Sequence, residues 1–304
     1  LNIVDGIFES ASDYHDVTIA SGATLELTGD ITVSGDWNNN GTFIHNNHTV
    51  TFDGSTAQSI AGNNSFYNLI SGGSVVTLQS DVSILNNLIV SSNSTFDFNS
   101  RTVTISGATD INGTLTASTG VFDANGVFDA TGGTIDFTDA GRLQCAGTVT
   151  SLGTLVNNYG TVEYDGGSQN VLADNYYNLV IDQSGNKTAQ GTINVANDLT
   201  ISNSATLLTS NHIIDVSGAT TVGATLEIGN ALYNSRGGFS ASGNINFSHN
   251  GGKLRFYSIS PTSLGTLDNT RGTVDYELGA TDVLSDDYYT LRIRGGGTAK
   301  TLQG

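Results

Sequence analysis

Two neighbouring carboxylates near the end of the sequence have the residue types that could perform acid–base chemistry. Asp286-Asp287 is followed by Arg292-Ile293-Arg294, and a pair of carboxyl groups can hydrolyse a glycosidic bond. The same segment occurs earlier in the chain, however, where Asn175 and Ser65 take the place of Asp287. Because the copies do not keep the acid, we interpret these as turn and strand positions with variable side chains. The sequence therefore predicts no catalytic residue and no enzymatic activity.

Candidate metal ligands occur at two further places. Asp123, Asn125 and Asp129 offer oxygen donors at spacings loosely like those of a calcium loop, but the closing bidentate Glu is missing. His45 and His48 could supply two ligands from one loop, yet zinc needs further ligands of defined geometry. We interpret the two segments as a turn and a solvated loop. The prediction is no metal and no cofactor, with calcium at the three oxygen donors as the alternative.

Other potentially reactive side chains have counterparts elsewhere in the chain that point to packing. Cys145 lies in Leu143-Gln144-Cys145, which corresponds to Leu254-Arg255-Phe256. An apolar Phe in the partner position predicts a small buried core residue and not a nucleophile. The pairs Tyr176-Tyr177 and Tyr288-Tyr289 lie at one place in successive copies, which favours an aromatic ladder or corner packing over stacking on a sugar.

These comparisons rest on an internal repeat of 112 residues. The segments GTFIHNNHTVTFDGSTAQSIA, GTLVNNYGTVEYDGGSQNVLA and GTLDNTRGTVDYELGATDVLS begin at Gly41, Gly153 and Gly265. A fixed period indicates one structural unit copied along the chain, whose neighbours bury each other's apolar faces. We expect a single elongated domain over residues 1–304. Its expected parts are a degenerate partial unit, two full units and a final partial unit, at residues 1–40, 41–152, 153–264 and 265–304.

Very short strands must position all of these residues. Triplets such as Val50-Thr51-Phe52 and Val162-Glu163-Tyr164 alternate apolar and polar side chains, the signature of half-buried strands. Clusters such as Asn38-Asn39-Asn40-Gly41 supply the turns between them. The sequence predicts an all-β fold, a parallel β-helix or β-solenoid, and we expect it to be right-handed. With roughly 20 to 25 residues in a coil and ~4.8 Å between coils, each repeat would hold about five coils.

The composition argues against several classes of partner. The sequence has 28 acidic and 10 basic residues, a formal net charge of −18, which disfavours nucleic acid. No apolar run approaches the ~20 residues that span a bilayer, so no membrane insertion is predicted. A single cysteine excludes an internal disulfide framework. Six of the ten basic residues lie beyond residue 250.

The repeats resemble a known class of surface protein. The string NNGTFIHNNHTVTFDGSTAQSIAG at residues 39–62, the FYNL segment at 66–69 and the later ISG and NGTL segments are similar to bacterial extracellular β-solenoid repeats. These occur in giant adhesin-like or haemagglutinin-like surface proteins. The resemblance covers most of the chain from about residue 37. It implies secretion or a bacterial cell-surface location and a role in attachment, adhesion or matrix building, and it supplies no catalytic residues.

Two functions remain open at this point. The first is a structural or adhesive protein, a rigid solenoid that stacks head to tail into a fibre or forms a slice of a longer surface stalk. Its partners would be copies of itself, or further repeats of the same polypeptide, and cell-surface glycans. The alternative is a carbohydrate-binding or polysaccharide-degrading β-helix that uses one lateral groove. Acids or aromatic residues clustered in one patch that does not recur would favour the alternative.

Overall fold

The computed structural model describes residues 1–156, 158–257, 259–277 and 282–294, together with the backbone of residues 301–303. Every regular element in these ranges is a β-strand, and the parallel strands form a β-solenoid of about 15 turns. The predicted all-β parallel β-helix is confirmed, and its right-handedness stays a prediction. The chain divides into two compact units, Leu1–Gly160 and Thr161–Gly304, so its organisation as a single domain stays a prediction as well.

Strands β1 to β24 belong to the first unit and have two to five residues each. They are β1 (Asn2–Ile3), β2 (Ile7–Ser10), β3 (Val17–Ile19), β4 (Thr24–Leu27), β5 (Ile31–Val33), β6 (Trp37–Asn39), β7 (Thr42–Ile44), β8 (Thr49–Phe52), β9 (Gln58–Gly62), β10 (Asn64–Phe66), β11 (Asn68–Ser71), β12 (Val75–Leu78), β13 (Val82–Ile84), β14 (Leu88–Val90), β15 (Thr95–Asp97), β16 (Thr102–Ile105), β17 (Thr109–Ile111), β18 (Thr114–Ala117), β19 (Val121–Ala124), β20 (Phe128–Asp129), β21 (Thr134–Phe137), β22 (Arg142–Cys145), β23 (Val149–Ser151) and β24 (Thr154–Val156).

Most coils of the first unit contribute one strand to each of three sides. The first side is the sheet β1-β3-β6-β9-β12-β15-β18-β21-β24, and the third is β5-β8-β11-β14-β17-β20-β23. The second side consists of β2-β4-β7 followed by β10-β13-β16-β19-β22. Residues paired on successive coils lie between 16 positions apart, as in Asn2 and Thr18, and 23 positions apart, as in Trp37 and Ile60. The coils are therefore slightly shorter than the sequence predicted.

The alternation of residue types explains the core of the first unit. Phe96, Leu115 and Ile135 pair on β15, β18 and β21, and all three are fully buried. Burying an apolar side chain of this size contributes about 1.5–3 kcal/mol. The residues between them along each strand face outward, since successive side chains of a strand point to opposite faces. The interior is consequently a stack of apolar layers, one for each coil.

Aromatic rings fill the interior of the first unit where the second side is interrupted between β7 and β10. Trp37 is fully buried, and its ring centroid lies 4.8 Å from that of Phe43, 5.5 Å from that of Phe66 and 6.4 Å from that of Phe52. Its Nε1–H donates a hydrogen bond to Oδ1 of Asn64 at 2.7 Å. Trp37 thus links β6 to the strands on both sides of the interruption.

Strands β25 to β43 belong to the second unit. They are β25 (Thr161–Tyr164), β26 (Gln169–Val171), β27 (Asn175–Tyr176), β28 (Asn178–Ile181), β29 (Gly185–Ala189), β30 (Ile193–Val195), β31 (Leu199–Ile201), β32 (Ala205–Leu208), β33 (Ile214–Val216), β34 (Thr220–Val222), β35 (Thr225–Ile228), β36 (Leu232–Ser235), β37 (Phe239–Phe247), β38 (Lys253–Phe256), β39 (Ser263–Leu267), β40 (Thr273–Tyr276), β41 (Asp282–Leu284), β42 (Leu291–Ile293) and β43 (Thr301–Gln303).

The second unit also has three strands in each coil. Its first side runs β25-β28-β31-β34 and its second β26-β29-β32-β35, and both continue into the long strand β37. Residues Phe239–Ala241 of β37 pair with β34, and Asn244–Phe247 pair with β35. The third side is the sheet β27-β30-β33-β36-β38-β40-β42, and β41 pairs with β43. One strand, β37, therefore serves two sides of the coil.

Equivalent segments of the repeat lie on different sides of the second unit. Strands β25 and β40 consist of the matching strings TVEY and TVDY, which lie one period apart in the sequence. Yet β25 lies on the first side and β40 on the third. The two halves of β37, and likewise those of β39, lie on different sides of the coil, so each half counts as one strand. On this count β40 is the seventeenth strand after β25. At three strands in each coil, that distance is five full coils and two further strands. The predicted five coils per repeat are close, but the repeat does not contain a whole number of coils.

Candidate functional site

The structure separates the paired aspartates from the arginines that follow them. Asp286 and Asp287 are exposed, and Oδ1 of Asp286 accepts a hydrogen bond from the backbone N–H of Asp287 at 2.8 Å. Arg292 on β42 and Arg294 after it reach instead toward the carboxylate of Asp275, at 3.9 Å and 3.0 Å. The arginines therefore belong to a different group of residues, which the sequence did not predict.

The candidate calcium ligands make short-range contacts of their own. Oδ1 of Asp123 accepts a hydrogen bond from Nδ2 of Asn125 at 3.0 Å, and Oδ1 of Asp129 accepts two from Thr131, from its backbone N–H and its hydroxyl. Within the described ranges, no group of three or more His, Cys, Asp or Glu residues could hold a metal ion. The absence of a metal stays a prediction, with calcium at Asp123, Asn125 and Asp129 as its alternative.

The candidate zinc ligands His45 and His48 have different neighbours. The ring of His45 stacks on that of Tyr67 with 5.7 Å between centroids, and partial burial lowers the pKa of His45. Nδ1 of His48 lies 3.4 Å from Oδ1 of Asp30. Each imidazole therefore contacts a different residue of its own surroundings, Tyr67 or Asp30, as expected for residues of a loop.

The interpretation of Cys145 as a core residue is confirmed. Its side chain is fully buried on β22, where it pairs with Ala124 of β19. A thiol buried among apolar layers packs as a small apolar side chain.

One tyrosine of each predicted pair, Tyr176 or Tyr288, makes hydrogen bonds at a corner of the coil, and these hydrogen bonds recur in both copies. In β25 and β27 the hydroxyls of Tyr164 and Tyr176 lie 3.1 Å apart, and the second donates to the backbone carbonyl of Leu172. The same contacts return one period later between Tyr276, Tyr288 and Leu284, with the hydroxyls 3.2 Å apart. Tyr164, Tyr176 and Tyr276 are buried. The predicted corner packing is thereby confirmed for Tyr176 and Tyr288, whereas Tyr289, the second member of its pair, is 56% exposed.

Buried tyrosines make the fold sensitive to alkali. Burial raises the pKa of Tyr233, Tyr276 and Tyr288 above the ordinary 10.0. Above that pH the unfolded chain loses these protons while the folded chain keeps them. Stability should therefore be constant with respect to these groups below pH 10 and then fall until the pH reaches the raised pKa of each folded tyrosine, by at most about 1.4 kcal/mol per pH unit for each.

The measurement is the free energy of unfolding in denaturant at a series of pH values above 10. Tyr233→Phe should make the decline shallower by the share of one tyrosine. Tyr289→Phe is the matched control, because Tyr289 is 56% exposed. Equal slopes for wild type and Tyr233→Phe would contradict the argument.

A concentration of charge lies on the outer face of the third side of the second unit. The register of β33, β36, β38, β40 and β42 places Asp215, Asn234, Arg255, Asp275 and Arg292 in one row along successive coils. We call six residues of this row and its margin the charged strip: Arg236, Arg255, Asp275, Glu277, Arg292 and Arg294. Its residues are up to 58 positions apart in sequence and are brought together by the coil.

Asp275 is the centre of the charged strip. Its side chain is fully buried, yet Arg255, Arg292 and Arg294 approach Oδ2 to 3.7, 3.9 and 3.0 Å. Neither carboxylate oxygen has a hydrogen bond of good geometry. Arg255 and Arg294 also approach Glu277, at 3.2 and 3.3 Å. A buried carboxylate needs compensating charge, and here three guanidinium groups converge on two acids.

Tyr257 connects Arg255 with the remaining arginine of the strip. The guanidinium of Arg236 lies over its ring, 4.5 Å from the centroid, and Nη1 of Arg255 donates to its hydroxyl at 3.0 Å. Arg236 in turn makes a bidentate pair with Asp215, at 2.5 and 2.7 Å. Such stacking and fork-like pairing fix the orientation of a guanidinium.

The sequence carried a partial signal for this strip. The excess of basic residues beyond residue 250 is visible in the composition, but which acids they meet depends on the register. Arg255 and Asp275 are 20 positions apart, and Asp275 and Arg292 are 17 apart. In earlier copies Arg292 corresponds to Val180 and Ile70. The strip is therefore a local addition to the repeat.

Comparison with known proteins assigns the chain to no group. No family model matches it, and no curated protein and no solved structure shows significant similarity to it. In the part of the chain that the structure describes, no helix could span a membrane.

Proposed function

We propose that this protein is a structural or adhesive component of a bacterial cell surface or extracellular matrix, without enzymatic activity. The observation that carries the proposal is the repeat itself, which folds into stacked coils with recurrent corner hydrogen bonds between tyrosines. An array of this kind gains stability from each neighbour that it stacks on. Extracellular location is supported by the resemblance of its repeats to surface solenoids.

End-to-end stacking on further coils is the mechanism that we propose. Strand β1 pairs with β3 on one side, and near it Val4 and Ile7 are each 71% exposed and Phe8 is 41% exposed. An unpaired strand edge with exposed apolar side chains is a template for another strand. Further coils, from another copy or from more of the same polypeptide, would cover these residues.

Sedimentation at increasing protein concentration tests the stacking of copies. We expect the mass to rise with concentration, and the double substitution Val4→Glu with Ile7→Glu to weaken the association at least tenfold, because two buried charges would then oppose it. Val127→Glu is the control, since Val127 is 48% exposed elsewhere in the first unit. A wild-type protein that stays monomeric at the highest concentration would contradict stacking of copies.

The charged strip favours a second candidate function, which is binding of a carbohydrate along one lateral face. Its arginines do not recur in the earlier copies, unlike the turns and core positions. A patch that the repeat does not reproduce is what a binding site would add to a scaffold.

A further inference from the structure

We propose that the charged strip binds the oxyanion groups of an acidic polysaccharide. This proposal rests on the second candidate function, carbohydrate binding, and not on end-to-end stacking. It names the chemistry of the ligand, the carboxylate or sulfate groups of a charged glycan, and the residues that bind it.

The strip has a surplus of positive charge in an acidic protein. Four arginines, Arg236, Arg255, Arg292 and Arg294, face three carboxylates when Asp215 is counted with Asp275 and Glu277. The whole chain carries −18. Elsewhere the protein repels a polyanion, so one would bind preferentially here.

Arg292 and Arg294 supply the accessible donors. Their side chains are 47% and 42% exposed, and the carboxylate of Asp275 that holds them is fully buried. Arg292 approaches it to 3.9 Å, which is an ion pair without a hydrogen bond. A guanidinium has five N–H donors in a fixed fork, and the half-exposed side chain of Arg292 makes its donors accessible from solvent. A carboxylate or sulfate could accept them in a bidentate arrangement.

Tyr257 is a positioning residue for the other half of the strip. Its ring lies beneath Arg236 and its hydroxyl accepts from Arg255. Arg236 is 44% exposed on its side chain. Because its charge is fixed by Tyr257 and Asp215, it presents the remaining N–H groups at a constant place, which limits the entropy lost on binding.

The layout of the strip fits an extended polymer. Arg255 on β38 and Arg292 on β42 lie in one row along this side of the coil, and Arg236 and Arg294 lie two positions beyond that row, just after β36 and β42. Neighbouring coils are ~4.8 Å apart, so the cations form two adjacent rows that run along successive coils. A protein partner would need a broad interface with an apolar centre, whereas the centre of this strip is ionic.

Binding of defined glycans by the whole chain tests the proposal. The probes are alginate, which carries carboxylates, dextran sulfate and neutral dextran. We expect one or both acidic glycans to bind and neutral dextran not to bind. Arg292→Gln and Arg294→Gln should each weaken binding about tenfold, the effect of removing a charge-assisted contact. The control is Arg101→Gln, which removes an exposed arginine of the first unit and should bind as wild type does.

Glu277→Gln gives an independent test in the opposite direction. Removing this carboxylate releases the attraction on Arg255 and Arg294 and lowers the repulsion of an anion, so binding should tighten several-fold. This result would hold even if a substitution of arginine disturbed the fold. Binding by alginate alone assigns carboxylates as the ligand groups, and binding by dextran sulfate alone assigns sulfates.

Three results would overturn the proposal. They are equal binding of neutral and acidic glycans, equal losses in Arg101→Gln and Arg292→Gln, and binding of double-stranded DNA as tight as that of the acidic glycans. Sedimentation without glycan separates this failure from a failure of stacking, because Val4 and Ile7 lie in the other unit.

Discussion

Replacement of Trp37 by alanine is expected to lower the free energy of unfolding by about 3–5 kcal/mol, the usual cost of removing a buried aromatic ring. The ring is fully buried against Phe43 and Phe66. Its loss also takes the Nε1–H donor from Asn64, which is 4% exposed. A cavity and a buried polar group with one partner fewer would then coincide at the interruption between β7 and β10.

Two further substitutions separate these contributions. Trp37→Phe keeps a ring and removes the donor, so it should cost less than the alanine substitution. Leu85→Ala, at a position 48% exposed, should change stability by about 0.5 kcal/mol or less. Unfolding of all three variants in denaturant is followed by circular dichroism. Tryptophan fluorescence does not suit this series, because Trp37 is the one tryptophan of the chain. A loss of stability in Trp37→Ala no larger than in Leu85→Ala would contradict the anchoring role.

Local patterns were sufficient to predict the fold. Alternation in triplets such as Val50-Thr51-Phe52 predicted which side chains face inward, and Val50 and Phe52 are indeed fully buried. Comparison of copies predicted that Cys145 and the tyrosine pairs pack in the structure, and Cys145, Tyr176 and Tyr288 do so. These inferences succeed because strand periodicity and the alignment of copies are both properties of short segments.

The register between successive coils, in contrast, could not be predicted from the sequence. The number of residues at each corner of the coil varies. Whether Arg255 and Asp275 become neighbours therefore depends on the combined length of the strands and turns between them. The combined length of the strands and turns between β25 and β40 likewise determines that these two strands lie on different sides of the coil. An outward side chain common to the two copies consequently points in different directions from the solenoid, whereas the residues of the charged strip lie on successive coils of a single side.

Lys187 is a buried cation that the sequence patterns do not predict. It points inward from β29 with its side chain fully buried. Its ammonium donates to three backbone carbonyls, of Gly166 and Gln183 at 2.8 Å and of Ser184 at 3.2 Å. The matching position of the first repeat is Val76, which is also buried. A cation thus occupies an interior position where another copy has an apolar side chain.

Substitution of Lys187 by alanine should cost about 3–5 kcal/mol, because it leaves a cavity and three carbonyls that lose a donor. Lys187→Met keeps the volume of the aliphatic stem and should cost less. Lys187→Val reproduces the residue of the first repeat and tests whether the surrounding turns have adapted to the ammonium. If they have, valine will be as harmful as alanine.

The pH dependence of the same variants identifies the charge as the cause. Burial lowers the pKa of Lys187 from 10.5, against the opposing attraction of Asp182 and Asp165. The folded chain therefore releases this proton at lower pH than the unfolded chain. The unfavourable contribution of the charge should diminish as the pH rises from the lowered pKa toward 10.5. Relative to Lys187→Met, the wild type should gain stability over that interval, measured below pH 10 where the tyrosines remain neutral. A difference between the two proteins that does not change with pH would show that Lys187 acts through its shape and hydrogen bonds, and not through the cost of burying its charge.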